Sequence, residues 1–254
     1  FLNKKKSWKT VSAYKINRAT GWPIPKQMRK KDIQKLILDY KNAAIAANSC
    51  GIDCLEIHMA HGYLLHQFMS PISNKRKDEY GGSIENRTRF AKEILLAVKE
   101  RVKDRLAIIV KMSMDDGIKN SIWLDESTQT ARILDETGAV DAFELTMGSS
   151  VKHQMYLFRG ETDLEGMSKT QKGIFRLGVK WFGKLVLGEY PYEHLYMLKS
   201  ARQFQTVVKN AQLILLGGIN DYAHLQTAMQ EGFDFVAMGR ALLREPDIIN
   251  KLKD

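Results

Sequence analysis

Leu106-Ala107-Ile108-Ile109-Val110-Lys111-Met112 is an almost unbroken apolar run interrupted by a single charge. A run of this length and continuity suits a parallel strand covered on both faces. Ahead of it, Phe90, Ile94, Leu95, Val98 and Val102 recur at helical spacing. Ahead of these, Cys54-Leu55-Glu56-Ile57-His58 reads as another short buried strand. Strand, helix and strand in that order make one βαβ unit, which commits the fold to a parallel sheet.

The alternation extends in both directions. A helix is predicted from Ile33 to Ala47 with Gly51 as its stop, and further helices over 125–137, 195–208 and 221–231. Strands are predicted over 143–146, 213–216 and 235–238. No GxGxxG follows the first strand, and the polar residues of interest cluster just after strand ends. Both features favour a (β/α)₈ TIM barrel over a doubly wound sheet. Five strands are counted where a barrel needs eight, so the reading is an incomplete barrel holding strands four to eight, with the N-terminal strands missing. The whole of 1–254 is taken as one domain, and a lid-like insertion is placed at about 147–194, too long for an ordinary connection. No internal repeat is found.

The net charge of +10 could point to nucleic acid, but the lysines are scattered rather than interleaved with aromatics. The runs Lys4-Lys5-Lys6 and Lys26 to Lys31 read as a solvated face or loose terminus, and no nucleic-acid partner is expected. No span of eighteen apolar residues and no secretory leader is seen, so the expectation is a cytoplasmic protein without a membrane partner. Cys50 and Cys54 form no CxxC pair and are expected to be small core residues.

His58-Met59-Ala60-His61-Gly62-Tyr63 is the densest chemical segment. Two neutral imidazoles at a strand end can together hold and polarise a carbonyl oxygen, and the Tyr63 phenol can serve as general acid. His-x-x-His could instead ligate a metal, with Glu56 as a third ligand, or the rings could simply cap a loop. Leu216-Gly217-Gly218-Ile219 and Met238-Gly239-Arg240 each precede a helix and read as an anion site or as tight turns. Lys111 inside its apolar run needs a partner, either a cofactor or an internal acid.

These residues resemble a known family. Leu55-Glu56-Ile57-His58, Ala60 to Phe68, Ser70-Pro71, Asn74-Lys75-Arg76, Asp78 to Ser83, Glu85-Asn86-Arg87 and Arg89-Phe90 are similar to a signature of the Old Yellow Enzyme, or NADH:flavin oxidoreductase, family. The tail from Asp234 to Leu242 with Glu245-Pro246-Asp247 is similar to that family's last strand and helix. The resemblance implies an FMN-dependent ene-reductase. Hydride would pass from NADH or NADPH through the flavin to the activated C=C bond of an enone-type small molecule. By position, His58 and His61 match the carbonyl-binding pair and Tyr63 the proton donor. Gly217-Gly218 and Gly239-Arg240 match the phosphate turns. Lys111 stands where the family has an arginine beside the flavin, keeping the charge without the planar fork. No iron-sulfur motif is present and no metal is expected. A homo-oligomer is allowed for. The competing readings are a flavin-free TIM-barrel lyase or aldolase using Lys111 as a Schiff-base amine, and an inactive fragment.

Overall fold

The computed structural model describes residues 10–15, 24–150, 154–161, 163–171 and 173–251. The run Lys4 to Lys6 lies outside them. Two short strands, β1 (Val11–Ser12) and β2 (Lys26–Gln27), pair in parallel, and a helix α1 (Lys30–Ser49) follows. The main sheet then alternates with helices. β3 (Cys54–Met59) leads through α2 (Leu64–Met69) and α3 (Ile84–Val102) to β4 (Ala107–Ser113), then α4 (Leu124–Asp135) and β5 (Ala142–Thr146). An excursion carries α5 (Gln154–Phe158), α6 (Leu164–Lys169) and α7 (Ile174–Leu187). The chain returns through α8 (Leu198–Gln205), β6 (Gln212–Leu216), α9 (Tyr222–Gln230), β7 (Phe235–Ala237), α10 (Arg240–Arg244) and α11 (Ile248–Lys251).

The five strands are parallel and ordered β3-β4-β5-β6-β7. That order runs sequentially without reversal among the described strands. A doubly wound sheet reverses at a switch point.

Alternation along each strand sorts the side chains into two populations. Ile57, Met59, Val110, Met112, Phe143 and Leu145 are buried on the side that α3 and its neighbours cover. Glu56, His58, Lys111 and Glu144 share the opposite face, with His58 in register with Lys111 and Lys111 with Glu144. Helix α3 shows why these elements form where they do. Ser83 caps its start by accepting the Asn86 N–H at 3.3 Å, and Phe90, Ile94, Leu95, Val98 and Val102 give it one apolar face for the core.

One sequence expectation needs correction, and another is narrowed. Cys50 and Cys54 are exposed rather than core residues, because Cys50 caps the end of α1 and Cys54 opens β3 at the solvent-facing amino edge of the sheet. Of the two readings of the basic stretch from Lys26 to Lys31, the solvated face holds and the loose terminus does not: its lysines are exposed, but it forms β2 and the first turn of α1, where Lys30 pairs with Glu79 at 2.7 Å.

Candidate active site

At the carboxyl end of β3 the chain reverses over residues 60–63, and the Tyr63 N–H donates to the Ala60 carbonyl at 3.1 Å. The turn needs left-handed backbone at His61 (φ 57°) and Gly62 (φ 82°). Glycine adopts this freely and histidine does not, so His61 must be held by its surroundings. Its N–H donates to Ser113 Oγ at 3.1 Å, and its carbonyl accepts from Ser150 N and Oγ. Its ring Nε2 lies 3.0 Å from Thr146 Oγ1. The ends of β4 and β5 thus clamp the turn that leaves β3.

This geometry gathers the three predicted catalytic rings. The His58 and His61 centroids are 5.2 Å apart in an edge-on arrangement, and the Tyr63 ring lies 4.9 Å from His58. His58 Nδ1 accepts the Ala60 N–H at 3.3 Å, so in the neutral ring Nε2 carries the proton and is the free donor. At His61 the Thr146 hydroxyl can donate to Nε2, leaving Nδ1–H as its donor. Both rings favour the neutral form. Burial, then Lys111 and His66, lower His58, while burial, His58 and Lys111 bring His61 down to about 4.

Lys111 bonds Glu144 and lies 3.7 Å from Glu56, so the internal ion pair accounts for its burial. Glu56 shares the face of His58 but serves this cluster rather than orienting a histidine. Burial and its contact with Glu144 push its carboxyl up to about 7. Among the described residues no group of three or more His, Cys, Asp or Glu is placed to hold a metal.

A buried pair absent from the sequence reading supports the turn from below. His66 is 1% exposed, its Nδ1 accepts the Gly62 N–H at 3.1 Å, and its Nε2 sits off-axis 3.0 Å from Asp116 Oδ1. Burial alone would raise Asp116, but His66, Ser121 and the Ile122 N–H together bring it below the usual carboxylate range. In the sequence His66 stands only as one position of the Ala60 to Phe68 resemblance, with no role attached. Its partner lies fifty residues away in the chain.

The second predicted group lies at the carboxyl ends of β6 and β7. A cavity of about 520 Å³ is lined by Gly217, Gly218, Asn220, Gly239, Arg240 and aromatic residues of the excursion. His58, His61, Tyr63 and Lys111 are not in its lining, because β4 and β5 separate the two ends, so the predicted residues form two clusters along one sheet edge. The glycines have a reason in the fold itself. At Gly218 (φ 77°) a Cβ would stand 2.6 Å from Leu195 N, and at Gly217 (φ 99°) 2.7 Å from Met197 Cγ. At Gly239 nothing lies within 4 Å of that position, which leaves its backbone open to approach. Asn220 Oδ1 is buried without a partner, and the Arg240 guanidinium bonds the carbonyls of Phe158 and Arg159. Open space at Gly239, a cation and an unpaired polar atom are chemically compatible with the phosphate end of FMN.

Comparison with known proteins decides the family. The sequence pattern of the NADH:flavin oxidoreductase / NADH oxidase family matches residues 5–165. The chain belongs to this family. Its relatives include the 4,4'-dithiodibutanoate disulfide reductase of Rhodococcus erythropolis, 40% identical over 222 residues that cover 87% of this chain and 55% of the relative. An NADPH dehydrogenase of Clostridium acetobutylicum is 52% identical over 137 residues, 54% of this chain and 40% of the relative. The chain thus spans about half the length of the curated relatives it matches. Morphinone reductase in complex with tetrahydroNAD shares the fold with a TM-score of 0.67 at 20% identity, over 97% of this chain and 60% of that one. Histamine dehydrogenase from Rhizobium sp. 4-9 does so with a TM-score of 0.76 at 22% identity, over 96% of this chain and 31% of that one. These neighbours are TIM-barrel enzymes, and membership of the flavin oxidoreductase family carries FMN and a reduced nicotinamide as electron source. The lyase reading gives way to it, since Lys111 is also held between two carboxylates.

The neutral His61 ring sets a pH dependence. Its folded value is about 4 against an ordinary 6.5, so unfolding takes up a proton between these values, and stability present above pH 6.5 is lost as the pH falls toward 4. Glu56, raised from 4.5 to about 7, acts in the opposite sense over much of the same window. The expected result is therefore a difference. Urea midpoints of His61→Gln should fall less steeply from pH 7 to 4 than those of wild type, and parallel curves would contradict a buried neutral ring.

Proposed function

We propose that this chain carries the carboxyl-edge machinery of an FMN-dependent ene-reductase. Hydride passes from NADH or NADPH, by way of the flavin, to the activated C=C bond of an α,β-unsaturated carbonyl compound. The observation that carries the reading is the convergence of two neutral imidazoles and a phenol at the end of β3. The five strands are read as an arc of an eight-stranded barrel, and residues 147–194 as a lid over its carboxyl end. Gly217, Gly218, Gly239 and Arg240 would hold the phosphate of FMN, and Lys111 would lie near its ring system.

When bound, FMN supplies the hydride chemistry. The chain's own residues position and polarise the substrate. The free N–H donors of His58 and His61 converge on the carbonyl oxygen, which draws electron density from the β-carbon. Tyr63 then gives its phenolic proton to the α-carbon as the O–H bond breaks and the C–H bond forms. Its half-exposed ring allows solvent to restore that proton.

A second reading concerns the bond reduced. The 40% identity to a relative named for reduction of 4,4'-dithiodibutanoate favours an S–S bond in place of C=C. Both are tested by loading the protein with FMN and supplying NADPH anaerobically with cyclohexenone or with 4,4'-dithiodibutanoate. Saturated ketone formation is the expected result. Thiol release alone would transfer the assignment to the disulfide, and flavin-loaded protein that consumes neither would sink both.

A further inference from the structure

Helix α7 has no part in either cluster of the site. Its sequence from Ile174 to Leu187 contains no acid, and Arg176, Lys180 and Lys184 recur every four residues, which places them in one stripe along the helix. Leu177 and Trp181 form the stripe beside it, with Phe182 further round. The packed side is fixed by Gly183, where a Cβ would come within 2.5 Å of Leu164 Cδ2, and α6 is the element that α7 packs against. Among the described side chains away from that contact, Leu177 is 57% exposed, Trp181 73% and Phe182 63%. Adjacent exposed residues of this size mark a contact surface, whereas scattered ones do not.

We propose that α7 is an interfacial helix that docks on an anionic lipid surface. Leu177, Trp181 and Phe182 enter the headgroup boundary while Arg176, Lys180 and Lys184 rest on lipid phosphates. Charge selects this occupant. A second copy of the chain would bring the same three-cation stripe toward itself across a two-fold axis, with no acid on either helix to neutralise it. Lys184 does meet Glu189 at 2.7 Å, but both side chains remain largely exposed, and such a pair is readily exchanged for phosphate. Fourteen residues of helix extend only about 21 Å, short of a bilayer core. Among the described residues no helix is long and apolar enough to cross a membrane, so the association is with the surface. A cationic polar flank beside a Trp- and Phe-bearing face is the composition such helices use.

The test is flotation of the full chain with vesicles of phosphatidylglycerol and of phosphatidylcholine, together with tryptophan emission. Wild type should float with phosphatidylglycerol, shift its emission to the blue, and release at high salt. Lys180→Glu should lower the partition by at least about fivefold, from the energy that one cation contributes at an anionic surface, and Trp181→Ser should abolish the blue shift. Both sites are exposed, and unchanged thermal melting confirms that the variants remain folded. Equal binding to the two lipids, or a Trp181→Ser variant that binds like wild type, overturns the proposal. A wild-type dimer in gel filtration that Trp181→Ser dissociates assigns the face to a second copy and overturns it equally.

Discussion

Alanine at both His58 and His61 is expected to reduce kcat/KM for an enone by about a thousandfold without emptying the flavin site. Removing one donor to a developing oxyanion costs roughly a hundred- to a thousandfold. Two donors that share one oxygen act as a unit, so the double variant should be little worse than the more damaging single one. The flavin should be retained because the cavity assigned to its phosphate is lined by residues of β6, β7 and the excursion. Binding of a simple phenol, which offers its oxygen to the same donors, should weaken in parallel. The decisive measurement is steady-state turnover with matched flavin content, and a double variant within threefold of wild type would remove the pair from the reaction. Tyr63→Phe gives a separable effect. It keeps the ring beside His58 and deletes only the proton, so turnover should fall with phenol affinity largely intact.

Much of this arrangement was legible in the sequence because it rests on local patterns. Short apolar runs between helices of period 3.6 located every strand of the main sheet, and the polar ends of those strands supplied the residues of the candidate site. Boundaries were less well marked. Helix α1 begins at Lys30, not Ile33, because its first turn Lys30-Lys31-Asp32 is polar and only the Asp32 contact to Arg29 reveals it as helical. Other features depend on parts of the chain that meet only after folding. Lys111 finds Glu144 through the register of β4 with β5, and thirty-three residues of sequence give no hint of it. Gly217 and Gly218 looked like an anion cradle, yet their first requirement is the passage of residues 193–197 across them. The His66–Asp116 pair is equally non-local, although it holds the turn that bears His61. Local pattern thus identifies the chemical groups, and long-range packing determines how each is held.

Asp135 shows how much one non-local contact supports, and Asp135→Ala is expected to lower stability by about 2–4 kcal/mol. The side chain is buried at the end of α4, and its carboxylate accepts from the backbone of Lys209 at 2.8 Å, Asn210 at 3.1 Å and Ala211 at 2.8 Å. The Asn210 side chain adds a fourth contact at 3.2 Å. These donors belong to the connection that delivers the chain into β6, and alanine would leave them without their acceptor. Each such loss costs on the order of 1–3 kcal/mol when fully buried, and the partial access of water to this connection keeps the sum toward the lower end. Asp135→Asn retains one acceptor oxygen and should fall between the two. Because β6 ends in the Leu216-Gly217-Gly218 turn, a loosened entry should also displace that turn, so flavin affinity is expected to fall with stability. Urea titration of the three proteins with and without FMN measures both effects. A loss below about 1 kcal/mol for the alanine variant would mean that water replaces the carboxylate and that β6 is held by its sheet neighbours alone.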